Sequence, residues 1–298
     1  MSSLIHHTTC PVCGSSGIHK VLEARDYTVS GEIFEIFQCA SCSLRFTQPI
    51  PGISSIGNYY SSANYISHSN TNKGIVNSLY HIVRKFTLSG KRKLIGRVTG
   101  LNKGTLLDIG AGTGSFVHHM KNAGWQTTGL EPDPDAIKKA LSLHGVSLRS
   151  SESIYELPAE SFDVITMWHV LEHVHDLQGY LAHIKKICKK GGRIFIAIPN
   201  YTSYDAGKYG ACWAAYDVPR HLYHFSPASM TILLERHGMK LESIQPMLFD
   251  SYYVSLLSEK YKRGKSNLLK GFWNGFVSNS KAFSNKRKAS SIVYIIST

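Results

Sequence analysis

The chain has 298 residues, enough for one large α/β domain with a small appendage. It is 43% hydrophobic, yet no apolar run approaches the ~20 residues that span a bilayer, and Met1–His7 lacks the charged-then-apolar pattern of a secretory signal, so a cytoplasmic setting is expected. A net charge of +13 with His neutral points to an acidic partner (nucleic acid, a phosphorylated small molecule or an anionic membrane face) or serves solubility alone.

Residues 1–48 form the first expected segment. Cys10 and Cys13, then Cys39 and Cys42, make two C-x-x-C knuckles. In a chain without export features such pairs favour metal over disulfide, and four thiolates at this spacing suit tetrahedral Zn²⁺ in a closed, structural site. Gly14 lets the backbone turn toward the metal. Tyr27–Val29 and Ile33–Phe37 read as strands of a small ribbon, too small to fold on an apolar core without the metal. The alternatives are redox-active pairs or four unligated core cysteines. Residues 49–103 read as a connector. Pro49, Pro51 and Gly52 break regularity, and Ile75, Leu79, Ile82, Val83 and Phe86 then recur at helical spacing. The basic clusters Arg84–Lys85 and Lys91–Lys93 read as a solvated face.

From residue 104 strands and helices alternate, which argues for a parallel, doubly wound sheet. The expected strands are Thr105–Asp108, Trp125–Leu130, Val146–Leu148, Phe162–Trp168, Arg193–Asn200, Met239–Ile244 and Ser290–Ile296. Helices are expected over Ser115–Asn122, Pro134–Leu141 and a stripe from Leu177 to Ile187 closed by Gly191 and Gly192, with Cys188 on its apolar side. Ser226 and Pro227 open another helix. Residues 250–289 interleave apolar and basic residues. They read as a helical hairpin packed on the core, a dimer contact or an element resting on a membrane surface.

The first strand ends in Asp108 and runs into Gly110, Gly112 and Gly114. The second ends at Glu131, about 20 residues on. A glycine turn followed at that distance by a carboxylate suits the ribose of an adenine-containing cofactor. The G-x-G-x-G spacing resembles that of the class I S-adenosylmethionine-dependent methyltransferases. Further motifs carry the resemblance along the chain: the two knuckles, Tyr59–Tyr60 with Tyr65–His68, Trp168–His173, Pro199–Asn200 and Asp217–Phe225. They resemble bacterial members with an N-terminal zinc ribbon, related to quinone and sugar C-methyltransferases.

That resemblance implies a Rossmann-like seven-stranded sheet with its last strand antiparallel. It also implies cofactor contacts from Asp108, Gly110, Gly112 and Gly114 at the methionine end, Glu131 on the ribose, and Pro132 and Ile154 on the adenine. Trp168 and His169 would lie under the methionine and the acceptor, with Tyr60, Tyr65 or His68 closing the site. Where relatives often place an Asp against the adenine, this chain has Ser153. A hydroxyl acceptor needs a general base, and His221, His169 and His224 are the candidates. Arg220 suits a phosphate or carboxylate, and Trp213 and Tyr216 belong to an aromatic lid over the substrate. The expected reaction is methyl transfer to a small molecule: a sugar, a nucleotide-linked sugar or another biosynthetic intermediate. The competing readings are an rRNA or tRNA base methyltransferase, for which the N/D-P-P-Y tetrapeptide is lacking, and a non-catalytic cofactor-binding regulator.

Overall fold

The computed structural model describes residues 4–60, 75–265 and 267–298. Among them the chain packs as two compact units. One gathers Met1–Tyr65, His169–Ala182 and Ile196–Ile296; the other gathers Ile66–Trp168, His183–Phe195 and Ser297–Thr298.

In the first unit, β1 (Leu4–Ile5) pairs antiparallel with β5 (Ile50–Pro51). Between them β2 (Ile18–Arg25), β3 (Ile33–Cys39) and β4 (Arg45–Gln48) form an antiparallel ribbon. Its fourth strand comes from far away in sequence: Tyr223–His224, β11 in chain order, pairs with β4. Tyr27–Val29, expected as a strand, is instead the turn between β2 and β3. The Asp26 carboxylate accepts the N–H groups of Thr28, Val29 and Ser30, a side-chain turn that outcompetes a ladder. Phe34 and Ile36 on β3 are buried with Trp213, Tyr216 and Val218, so the ribbon has an apolar face after all. A short helix α1 (Ile53–Ile56) follows β5.

The second unit begins with α2 (Ile75–Thr99) and then alternates β6 (Thr105–Ile109), α3 (Ser115–Asn122), β7 (Gln126–Glu131), α4 (Pro134–His144), β8 (Arg149–Ser150) and β9 (Phe162–Trp168). β6 pairs in parallel with both β7 and β9. Asp133 caps α4, accepting from Asp135 N, and Pro134 supplies the first turn. The chain leaves α4 through Gly145 in the left-handed region. Val146 and Leu148 then turn inward against Val117 and Ala140. The third strand therefore starts later than expected, at Arg149 opposite Leu130, because those two side chains are committed to the α3–α4 packing.

α5 (Leu177–Ile187) ends before the glycine pair, and β10 runs from Cys188 to Pro199. Cys188 is thus a strand residue, not part of a helix stripe. A Cβ on Gly192 would lie 2.8 Å from Cys188 Sγ and 3.1 Å from Asp163 O, so the glycine serves close strand approach rather than helix termination. Burial pushes the Cys188 thiol up to about 11, which makes it inert. The remaining elements are α6 (Tyr204–Tyr209), α7 (Pro227–Arg236), β12 (Lys240–Pro246), α8 (Leu248–Arg263), α9 (Leu268–Ser284) and β13 (Ser291–Ser297). Ser226 and Ser229 form a reciprocal capping box at the start of α7. The larger sheet has seven strands in the order β12-β13-β10-β9-β6-β7-β8, with antiparallel pairing at its end, as the resemblance implied.

Candidate active site

The glycine turn belongs to the second unit. Gly110, Gly112 and Gly114 all have positive φ, between 55° and 74°, a region that costs other residues energy. Gly114 also has no room for a side chain: an added Cβ would lie 2.9 Å from Ala140 Cβ. The turn therefore exposes backbone, not side chains. At the end of β7 the buried Glu131 carboxylate accepts Gly112 N at 2.7 Å and Asp133 N at 3.1 Å. A buried, ionised carboxylate at a strand end is a strong acceptor of the kind that suits the hydroxyls of a ribose.

Asp108 sits deeper. It is buried, aligned with Thr166 on β9, and accepts the Thr166 hydroxyl at 2.6 Å. Burial pushes its carboxyl up to about 7 against the stabilising effect of that hydrogen bond and of Lys91. Trp168, at the end of β9, meets Phe116 edge-on with centroids 5.8 Å apart. Lys91 Nζ lies 4.0 Å from its ring centroid, an attraction worth on the order of 1 kcal/mol. The buried indole Nε1–H of Trp168 has no hydrogen-bond partner among the described residues. Ile154 is fully buried and its carbonyl accepts from His183 Nε2 at 2.7 Å, while Pro132 is exposed. Lys91 and His183 escaped the sequence reading. The first was absorbed into a basic face, and nothing in the sequence marks the second. Tyr65 and His68 lie outside the described residues.

This constellation suits S-adenosylmethionine rather than a dinucleotide. The three left-handed glycines bare the loop backbone, a carboxylate closes the strand behind it, and an unpartnered indole donor lies at the end of β9.

The first unit holds a separate cluster. His169 has φ +60, a strained conformation for a non-glycine residue. Its Nε2 is 2.9 Å from Asp250 Oδ2, and its Nδ1 is 3.4 Å from Glu172 Oε1. Burial alone would favour the neutral ring, but the two carboxylates outweigh it and hold His169 up at about 10. It is an imidazolium at neutral pH with both nitrogens protonated, so it accepts no proton. Glu172 is fully buried, and His169 is its ion-pair partner.

His173 Nδ1 faces Arg220 O at 2.9 Å and the Tyr60 hydroxyl at 3.0 Å. His221 Nδ1 faces Ala215 O at 2.9 Å. A carbonyl only accepts, so both Nδ1 atoms donate, and Nε2 is the nitrogen of each ring that can take up a further proton. Glu172, His173 and His221 can bring one ligand atom each to within 4.8 Å of the others. Such a set can take up a proton or hold a cation.

The other expected acceptor-side residues take structural roles. His224 is buried in the ribbon sheet. Thr47 donates its hydroxyl hydrogen to His221 O at 2.7 Å, so His224 Nε2, at 3.1 Å, donates to Thr47; burial keeps the ring neutral. Arg220 is fully buried. Its guanidinium donates to both oxygens of Asp217 at 2.6 and 3.0 Å, to Asp26 at 2.9 Å and to Tyr59 O at 2.8 Å, which leaves it no way to reach a substrate. Trp213 donates to Asp205 at 2.8 Å, and Tyr216 accepts from Arg45 at 2.8 Å. Both are core, because the segment they belong to supplies the fourth ribbon strand rather than a lid.

The four cysteines are all free. Cys10 and Cys42 sulfurs are 3.4 Å apart and those of Cys13 and Cys39 3.5 Å. These are close to the ~3.8 Å edge of a tetrahedron with ~2.3 Å metal–sulfur bonds. The Cys42 thiol, hydrogen-bonded to it, draws Cys10 down to about 5. Gly14 turns the first knuckle at φ +76, and Ser43 turns the second at φ +60. The donor set fits Zn²⁺.

Comparison with known proteins adds to this geometry. A family model described as a methyltransferase domain matches residues 83–244, more than half of the chain. The chain belongs to the S-adenosylmethionine-dependent methyltransferases. A ubiquinone biosynthesis O-methyltransferase of Xanthomonas oryzae is 31% identical over 163 residues, which cover 49% of this chain and 67% of that one. A mitochondrial ubiquinone biosynthesis O-methyltransferase of Homo sapiens is 28% identical, covering 49% and 44%. Among solved structures, a phosphoethanolamine N-methyltransferase of Haemonchus contortus in complex with S-adenosyl-L-methionine is 16% identical. It superimposes with a TM-score of 0.50, covering 85% of this chain and 61% of that one, and shares the fold. The methyltransferase match ends at residue 244, before α8 and α9.

Proposed function

We propose that this methyltransferase methylates a hydroxyl oxygen of a small biosynthetic intermediate, a sugar being one such acceptor. The observation that carries the reading is His221. Its Nδ1–H is committed to the Ala215 carbonyl, so its Nε2, 4.0 Å from Asp217 Oδ2, is the ring atom left to accept a proton, in a cluster that also holds Glu172. His169 is already protonated and His224 is locked in the ribbon, which leaves His221 as the one base among the three candidates. The ubiquinone biosynthesis relatives described above are named for oxygen methylation, which supports the choice of atom. With Arg220 buried in ion pairs, nothing in that segment calls for a phosphate on the acceptor.

When bound, S-adenosylmethionine supplies a methyl group on a positively charged sulfur. Glu131 would orient it through the ribose, and the glycine-turn backbone would line its methionine end. Trp168 would donate its free indole N–H there, while Ile154 would cover the adenine. Trp168 and His169 are adjacent in sequence. At the acceptor, His221 Nε2 would take the hydroxyl proton as the oxygen–carbon bond forms and the methyl carbon–sulfur bond breaks to leave a neutral thioether, and Glu172 would stabilise the resulting imidazolium; general-base steps of this kind contribute about 10²–10⁴-fold. We further assign Zn²⁺ to Cys10, Cys13, Cys39 and Cys42 in a structural role.

The test is to incubate the pure protein with methyl-labelled cofactor and pools of sugars, phenols and cell-extract metabolites. An alkali-stable methyl ether should form. His221→Ala should abolish turnover by at least a hundredfold while leaving calorimetric cofactor affinity unchanged. Label appearing only in RNA, or full turnover by His221→Ala, would overturn the reading.

A further inference from the structure

α9 is inside out. Along Leu268–Ser284 the buried positions are small or polar: Gly271, Asn274, Gly275, Ser278, Asn279 and Ala282. The large apolar side chains point the other way. Leu268, Leu269, Phe272, Trp273, Phe276 and Phe283 are all exposed, Leu269 by 86% and Trp273 by 63%. At 100° per residue these six fall within one stripe about 140° wide. A helix of a water-soluble domain places such a stripe against the core. Here the core side is built for close backbone approach and internal hydrogen bonding instead. A Cβ on Gly271 would lie 2.9 Å from Leu256 Cα, and one on Gly275 2.8 Å from Tyr252 Cα, a G-x-x-x-G contact of the kind that joins helices in lipid. Ser251 donates to Gly275 O and Asn279, and Ser278 donates to the buried Asp205. Phe249 and Tyr253 extend the apolar surface onto α8.

The charge around this stripe is one-sided. Between residues 260 and 288 the sequence has nine lysines and arginines and no aspartate or glutamate. That is most of the net charge of +13 in under a tenth of the chain. A second copy of the chain would bring this charge against itself. An anionic bilayer would neutralise it, while its acyl region would take the aromatic and leucine side chains. No helix of the described residues is long and apolar enough to cross a membrane, so the hairpin would lie in the interface.

We propose that the α8–α9 hairpin docks the protein on an anionic membrane surface, with the α9 stripe buried among the lipid headgroups and upper acyl chains and the flanking lysines on lipid phosphates. The full-length, zinc-loaded protein should co-sediment with vesicles of phosphatidylglycerol and phosphatidylethanolamine, and at least tenfold less with phosphatidylcholine alone. Trp273 fluorescence should shift to the blue on binding, and 0.5 M salt should weaken the association.

Replacing Phe272 and Trp273 together by Ser should weaken vesicle binding at least tenfold. Both side chains are exposed, so melting temperature and cofactor affinity should not change. Lys262→Glu with Lys270→Glu should do the same through charge. Failure to bind any vesicle, or undiminished binding by both double variants, would overturn the proposal. So would a dimer seen by light scattering, or RNA retention, that the Phe272 and Trp273 variant abolishes. Methyl transfer enters none of these readouts, so the proposal stands or falls apart from the acceptor assignment.

Discussion

The glycine-turn region, residues 105–131, and the block Trp213–Phe225 both carry dense sequence motifs, yet they work differently. The first is built from neighbours. Its strand, turn and helix are contiguous, its glycines have positive φ where the turn demands it, and Glu131 reaches back 19 residues to Gly112. The second is built from strangers. Arg220 meets Asp26 across 194 residues, and Tyr223 and His224 add a strand to a ribbon that begins at residue 18. A histidine or arginine in the first kind of region is free to face a ligand. In the second kind most polar atoms tie distant chain together, and His221, bonded only six residues away to Ala215, is the exception. The lesson is that motif density alone does not distinguish recognition from architecture; the sequence distance of each polar side chain's partner does.

This contrast makes the effects of perturbation separable. The largest expected effect is on the ribbon side. Removing the metal with a strong chelator, or changing Cys39→Ser, should cost most of the ~10–16 kcal/mol that a structural Zn²⁺ supplies. The ribbon and its partner strand β11 should lose amide protection in hydrogen exchange, and mercurial titration of the intact protein should release one Zn²⁺. Next comes Arg220→Gln, which leaves Asp26 and Asp217 without their counter-charge. Breaking a buried ion pair from one side costs about 3–5 kcal/mol, to be read by urea unfolding, while the folded fraction keeps its cofactor affinity. Loss of affinity without loss of stability would erase the distinction between the regions.

Glu131→Ala should behave in the opposite way. Losing the ribose contacts should cost about 2 kcal/mol of cofactor binding, roughly 30-fold by calorimetry, with a small change in melting temperature. The smallest effect is a pH dependence. Burial would raise Asp26, but the Arg220 guanidinium and the Ser30 and Thr28 N–H groups overcome it and hold the carboxyl down at about 2. Its folded-state value lies below the unfolded one, so its stabilisation is complete above about pH 4 and is lost as pH falls toward 2. The amount is on the order of 2 kcal/mol. Asp26→Asn should flatten that acid limb in urea titrations from pH 5 to 2, whereas an unchanged slope would detach Asp26 from the tie.

Much of this protein was legible without coordinates. The two cysteine knuckles, the G-x-G-x-G turn with Glu131, and the alternation of strands and helices are specified within short windows by chemistry that permits few other outcomes: thiolate spacing for a metal, positive φ for glycine, apolar period for a buried strand. Even so, Val146–Leu148 and Tyr27–Val29 were misread as strands, because packing onto α3 and α4 and the Asp26 turn were stronger than local pattern. What only tertiary structure decided is where each polar side chain spends its hydrogen bonds. His169, His221 and His224 are alike in sequence. One is held between two carboxylates, one keeps a nitrogen that can take up a proton, and one is closed into a sheet, because the groups that set their protons come from residues 250, 215 and 47. The orientation of α9 is of the same kind. Its amphipathic pattern is plain in sequence, but the side that turns outward follows from glycines and serines that only the α8 partner makes into a packing face.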